Sequence, residues 1–126
     1  MKPQTRRFSI GFDRAYRLLS SALFIRPSES LVEIAGERVS VRMAWAFRAQ
    51  FPKASVASAA KVEITTLSRG VHGFAGQWLV NGSGKGIVAL DFEPVQRGFV
   101  VGFPVKLRRL LVSVDEPDSL VSALRQ

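Results

Sequence analysis

Few residues in this chain are of a type that does chemistry. His72 is the one histidine, and it stands in Val71-His72-Gly73-Phe74, among glycines that let a backbone approach a neighbour closely. A histidine can serve as a general base near neutral pH, but the nearest carboxylate in the sequence is Glu63. The chain contains no cysteine, which excludes disulfides, thiolate zinc sites and a cysteine nucleophile. A single histidine also excludes a histidine-pair metal site within one chain. The segment Asn81-Gly82-Ser83-Gly84-Lys85-Gly86 looks at first like a phosphate loop. However, Leu79 stands where the first glycine of such a loop belongs, and Gly86 stands where Ser or Thr must follow the lysine. A strand rather than a helix is expected next, so no helix N-terminus faces the loop. The segment reads instead as a hairpin connection opened by Asn-Gly, with a weak anion contact through Lys85 and exposed amides as its remaining chemistry. Nothing here assembles a catalytic constellation, and the expectation is a non-enzymatic protein without a cofactor or bound metal.

Arginines and aromatics are the more informative residues. From Arg38 to Phe51 the chain alternates with period two. Val39, Val41, Met43, Trp45, Phe47, Ala49 and Phe51 fall on one parity, and Arg38, Arg42 and Arg48 on the other. Such alternation predicts strand with one face buried. The run is long for one strand, so a bend or tight turn is expected near Ala44 to Ala46. Trp45, Phe47 and Phe51 are expected in the core, and Trp78 with them. An aromatic-lined barrel cavity would use the same side chains, which makes Trp45, His72 and Trp78 the pocket candidates. Arg38, Arg42 and Arg48, together with Lys53, Arg14 and Arg17, make a candidate basic patch for an anionic ligand or a partner. The formal net charge is +8, and it is uneven: residues 1–62 hold 11 Lys/Arg against 4 Asp/Glu, and residues 63–126 hold 7 against 6. A basic surface suits nucleic acid, an anionic membrane or an acidic protein. The aromatics lie on the parity opposite the arginines, which argues against base stacking between them.

The elements that must position these residues follow from local pattern. Residues 1–7 read as a flexible basic arm, and 8–126 as a single domain. Phe8 to Phe12 is extended. Phe12, Tyr16, Leu19 and Leu23 recur at helical spacing, so a helix is expected from Asp13 to Leu23, ended by Arg26-Pro27. Leu31 to Ile34 is a strand, and Ala35-Gly36-Glu37 a turn. Val56 to Ala60 reads as a helical turn or loop, Val62 to Leu67 as a strand, and Ser68 to Gly76 as a loop. Gln77–Val80 and Gly86–Phe92 are strands, the second ended by Glu93-Pro94. Phe99–Phe103 and Leu107–Val114 are the last strands, with a bulge or bend at Pro104. Pro117 suits a first helical turn, Asp118 the positive end of the dipole and Arg125 the last turn. The short helix they outline must pack Leu120, Val121 and Leu124 on the sheets. About seven strands and a terminal helix favour a mainly β barrel or sandwich.

The ending Leu110-Leu111-Val112-Ser113-Val114, then Asp115-Glu116-Pro117, then Leu120 to Leu124, resembles bacterial pleckstrin-homology-like domains. In these a last strand leads straight into a helix that plugs the barrel. Arg38-Val39-Ser40-Val41 followed by Phe51-Pro52-Lys53-Ala54-Ser55-Val56 is similar to their strand–reversal–proline passage. The whole chain also looks like small uncharacterised bacterial proteins with this ending. Glu116-Pro117 departs from the usual Asp-Pro. The resemblance implies a barrel or sandwich of about seven antiparallel strands capped by a short C-terminal helix, to which an N-terminal helix would be an addition. An eight-stranded lipocalin-like barrel is the alternative.

The functional expectation is a cytoplasmic binding or interaction module, contacting an unidentified protein partner or an anionic ligand through a sheet face, a strand edge or a loop rim. A strand edge would also allow a homo-oligomer. The alternatives are a lipid or small-apolar-molecule carrier with an internal cavity, and a basic surface for nucleic acid or an anionic membrane.

Overall fold

The computed structural model describes residues 5–13, 29–63, 70–83 and 85–125, with the backbone alone at 70, 72 and 74. Beyond Asp13, the helix expected over Asp13–Leu23 lies outside these residues, as do Arg14, Arg17 and the expected strand Val62–Leu67 from residue 64 onward. The described residues form nine strands and a C-terminal helix: β1 (Thr5–Ser9), β2 (Ser30–Ala35), β3 (Arg38–Met43), β4 (Phe47–Pro52), β5 (Val56–Lys61), β6 (Gly70–Phe74), β7 (Gln77–Asn81), β8 (Ile87–Val100), β9 (Phe103–Ser113) and α1 (Pro117–Arg125). The strands make one sheet in the order β1-β2-β3-β4-β8-β9-β7-β6, with β5 also paired to β8. The mainly β, helix-capped barrel class expected from the sequence is the architecture found. The pairing is not uniformly antiparallel, since β7 runs parallel to β9.

The long alternating run folds as the β3–β4 hairpin, with Met43 opposite Phe47 and Ala44, Trp45 and Ala46 as its loop. An odd loop length preserves parity. Val39, Val41, Met43, Phe47, Ala49 and Phe51 therefore all enter the core. Trp45 is the correction: it shares their parity but sits at the hairpin tip, where the chain is no longer extended, and it is 52% exposed. The hairpin before it turns at Gly36-Glu37, with Ala35 opposite Arg38. Gly36 adopts φ +63° there, as a tight hairpin turn requires.

After Pro52 a single 3-10 turn, Lys53–Ser55, leads into β5, with the Ser55 hydroxyl donating to the Pro52 carbonyl at 2.6 Å. The alanine-rich segment, read as a helical turn or loop, is thus a strand. Pairing with β8, from Val56 opposite Phe92 to Lys61 opposite Val88, overrides its weak local preference. β4 pairs further along the same side of β8, Phe47 with Val100 and Ala49 with Gly98. The sheet bends between them, where the Phe51 and Phe92 rings meet edge to face with centroids 4.7 Å apart.

β8 does not end at Glu93-Pro94. It continues through a cis peptide bond there, and its pairing with β9 shifts register between Asp91 and Gln96. The strand expected over Phe99–Phe103 instead reverses at Val101-Gly102, and Pro104, expected at a bulge or bend, lies within β9 opposite Phe99. Nor do β7 and β8 form the hairpin that Asn81-Gly82 predicts. β9 lies between them, paired parallel with β7 and antiparallel with β8. The Asn-Gly signal reports a local reversal and carries no information about which strand fills the gap.

The sheet curls until the segment that follows β1 meets the ends of β9 and β7. Thr5–Arg7, assigned to a flexible arm, instead open β1 against β2. Past β1, Ile10 bridges to Val114 and Phe12 to Gly82. Buried Ser113 ties this joint: its hydroxyl accepts from the Gly82 N–H at 3.0 Å and donates to the Gly11 carbonyl at 3.1 Å. The first bond of α1 runs from Leu120 N–H to the Glu116 carbonyl at 3.1 Å, and Asp118 and Arg125 sit at the ends that suit their charge. Leu120, Ala123 and Leu124 enter the core beside Phe47, Phe51, Leu90, Leu107 and Leu110.

Candidate functional site

Arg38, Arg42 and Arg48 all point outward from the hairpin that buries Phe47 and Phe51. Register makes a row of the outer face. Leu31 stands opposite Arg42, Arg42 opposite Arg48, Arg48 opposite Phe99, and Phe99 opposite Pro104. The Arg48 guanidinium carbon lies 5.4 Å from the centre of the Phe99 ring, a cation–π distance. Residues two apart share a strand face, so the next row on β8 and β9 is Arg97 opposite Lys106, and both are exposed. Four cations therefore line one face as two like-charged cross-strand pairs, flanking Phe99 and Pro104. A like-charge pair directly across two strands is unfavourable. Among the described residues no ion pair offsets any of the four. Glu33, a carboxylate on this face, is held by Arg7 at 2.8 Å. Leu31, Glu33, Ser40, Arg42, Arg48 and Gln50 line a shallow depression of about 210 Å³ on the same surface.

The basic patch read from the sequence is thus divided. Arg42 and Arg48 come together. Arg38 lies opposite Pro52 at the other end of the hairpin, roughly 14 Å from Arg42 along the strand. Lys53 sits beside that end, its backbone N–H donating to the Glu37 carbonyl at 2.7 Å. Arg97 and Lys106 were missed because β8 was expected to stop at Glu93-Pro94, which left both outside any strand. The signal that could have found them is Val101-Gly102, a two-residue reversal between apolar runs.

The pocket candidates do not share a wall. Trp45 is at the β3–β4 tip, whereas Trp78 is half-buried against the core on β7, with β8 and β9 between them in the strand order. His72 lies in β6 opposite Leu79, in a strand where a loop was expected. The expected close approach is real but belongs to Gly73: a Cβ there would lie 2.6 Å from Trp78 Cδ2. Among the described residues, no cluster of three or more His, Asp or Glu is placed to hold a metal ion, and no helix is long and apolar enough to cross a membrane. Comparison with protein-family models, with curated proteins and with solved structures finds no match.

Proposed function

We propose that this protein is a non-enzymatic binding module that holds an anionic partner against the outer face of β3, β4, β8 and β9. The observation that carries the reading is the pair of like-charged cross-strand pairs, Arg42/Arg48 and Arg97/Lys106. Each pair is unfavourable in the isolated protein, and an anion placed between the members of either turns that repulsion into attraction. Arginine suits the role because its planar fork meets phosphate or carboxylate oxygens two at a time. The resemblance of the β9–α1 joint to pleckstrin-homology-like domains agrees with a binding role.

The test is binding of soluble inorganic polyphosphate at increasing salt, to wild type and to Arg42→Ser/Arg48→Ser. Counterion release predicts affinity that falls linearly with salt on a double-logarithmic plot, with a slope smaller by about two in the double variant. Equal binding and equal slopes in the two proteins would refute this face as the site.

A further inference from the structure

The basic face ends at two hairpin tips. The Val101 N–H donates to the Ala46 carbonyl at 3.0 Å, which holds the β3–β4 and β8–β9 turns side by side. Three large apolar side chains project there: Trp45 is 52% exposed, Val101 54% and Phe103 72%. Val101 is also strained, at φ +49°, a conformation that β-branched residues almost never adopt. Among the described residues nothing would touch a Cβ added to neighbouring Gly102, so the β8–β9 turn is open at that position. An apolar, exposed residue held in a costly backbone conformation, at a turn where Asn would fit better, gains nothing for the fold.

We propose that the anionic partner is a lipid bilayer surface, with Trp45, Val101 and Phe103 entering the interface while Arg42, Arg48, Arg97 and Lys106 meet headgroup phosphates. This rests on the reading of the basic face as anion-binding. The spacing fits. Along the strands Arg42, Arg48 and Phe99 stand one residue behind the Phe103 row, and Arg97 and Lys106 about 10 Å behind Phe103. Interfacial segments bury their apolar side some 5–10 Å into the headgroup–acyl boundary, which leaves these cations at headgroup depth. Trp is favoured at that boundary. A second copy of the chain is a poorer occupant, because pairing the tips would bring the two basic faces together. A single-stranded nucleic acid is poorer too, since Phe99, the one ring among the cations, is half-buried and already stacked on by Arg48, while the exposed apolar groups cap the end of the face. Glu29, which lines the depression beside Trp45 with Arg42, is the acidic side chain that offsets part of the attraction.

The experiment uses the full chain with vesicles of phosphatidylcholine alone and of equal parts phosphatidylcholine and phosphatidylglycerol, with soluble polyphosphate as the lipid-free anion. Wild type is expected on the mixed vesicles and not on the neutral ones. Phe103→Ser changes an exposed side chain. It should lower vesicle partitioning about tenfold and leave polyphosphate binding unchanged. Arg42→Ser/Arg48→Ser should lower partitioning about 25-fold, at roughly fivefold per cation, and lower polyphosphate binding as well. Polyphosphate binding without vesicle binding would overturn the membrane proposal and leave the anion face standing. So would vesicle binding that ignores Phe103→Ser, or a Phe103→Ser loss equal for both ligands. Failure to bind either anion, or indifference to the double arginine change, would overturn the anion face itself.

Discussion

Ser113→Ala tests whether the closure of the curled sheet rests on one hydroxyl. Ser113 is fully buried, and its Oγ serves two chain segments remote in sequence, accepting from Gly82 N–H at 3.0 Å and donating to the Gly11 carbonyl at 3.1 Å. Alanine removes both bonds, fits the space and reaches neither partner. The Gly82 N–H is then buried without an acceptor, at a cost of about 1–3 kcal/mol. The Gly11 carbonyl loses one donor, worth about 1 kcal/mol. A total of about 2–4 kcal/mol is a large part of the 5–15 kcal/mol typical of a domain. For a chain of this size each kcal/mol moves the midpoint by roughly 3–5 °C, so Tm should fall by about 10 °C. Thermal melting followed by far-ultraviolet circular dichroism reads this directly. Hydrogen exchange adds a local signature, since the Gly82 amide should lose protection while the β3–β4 hairpin keeps its own. A Tm within about 2 °C of wild type would show that the Ile10–Phe12 segment is held by its backbone bridges alone.

Three further outcomes follow from the same geometry. Arg42→Ser/Arg48→Ser should leave stability to urea unchanged or raise it by a few tenths of a kcal/mol, because it relieves a like-charged pair; a loss above about 1 kcal/mol would make these arginines structural. Val101→Asn should stabilise the protein by about 1 kcal/mol, since Asn tolerates positive φ, while weakening vesicle binding; an unchanged urea midpoint would deny the strain. Gly73→Ala drives a methyl group against Trp78 and the Gln77 carbonyl and should destabilise by about 1–3 kcal/mol, with a shift in tryptophan emission; normal stability would place β6 farther from β7 than described.

Faces were legible in the chain where the backbone is regular. Alternation from Arg38 to Phe51 located both the buried set and the arginines outside it, because a strand sends successive side chains to opposite sides whatever it pairs with. The proline, acid and arginine of the last helix marked its ends for an equally local reason. Trp45 escaped this logic because parity holds only while the chain stays extended, and three residues around it form a turn. The basic face was half visible. Arg42 and Arg48 could be seen, but their direct opposition depends on the length of that turn. Arg97 and Lys106 join them only because β8 runs on through Glu93-Pro94 and takes its place beside β4. Likewise Asn81-Gly82 promised a reversal, and β9 occupies the space between the strands it separates. Which way each side chain points is a property of neighbouring peptide units. Which strands lie side by side depends on the edges left free once distant segments have packed, and the four-cation face exists only at that level.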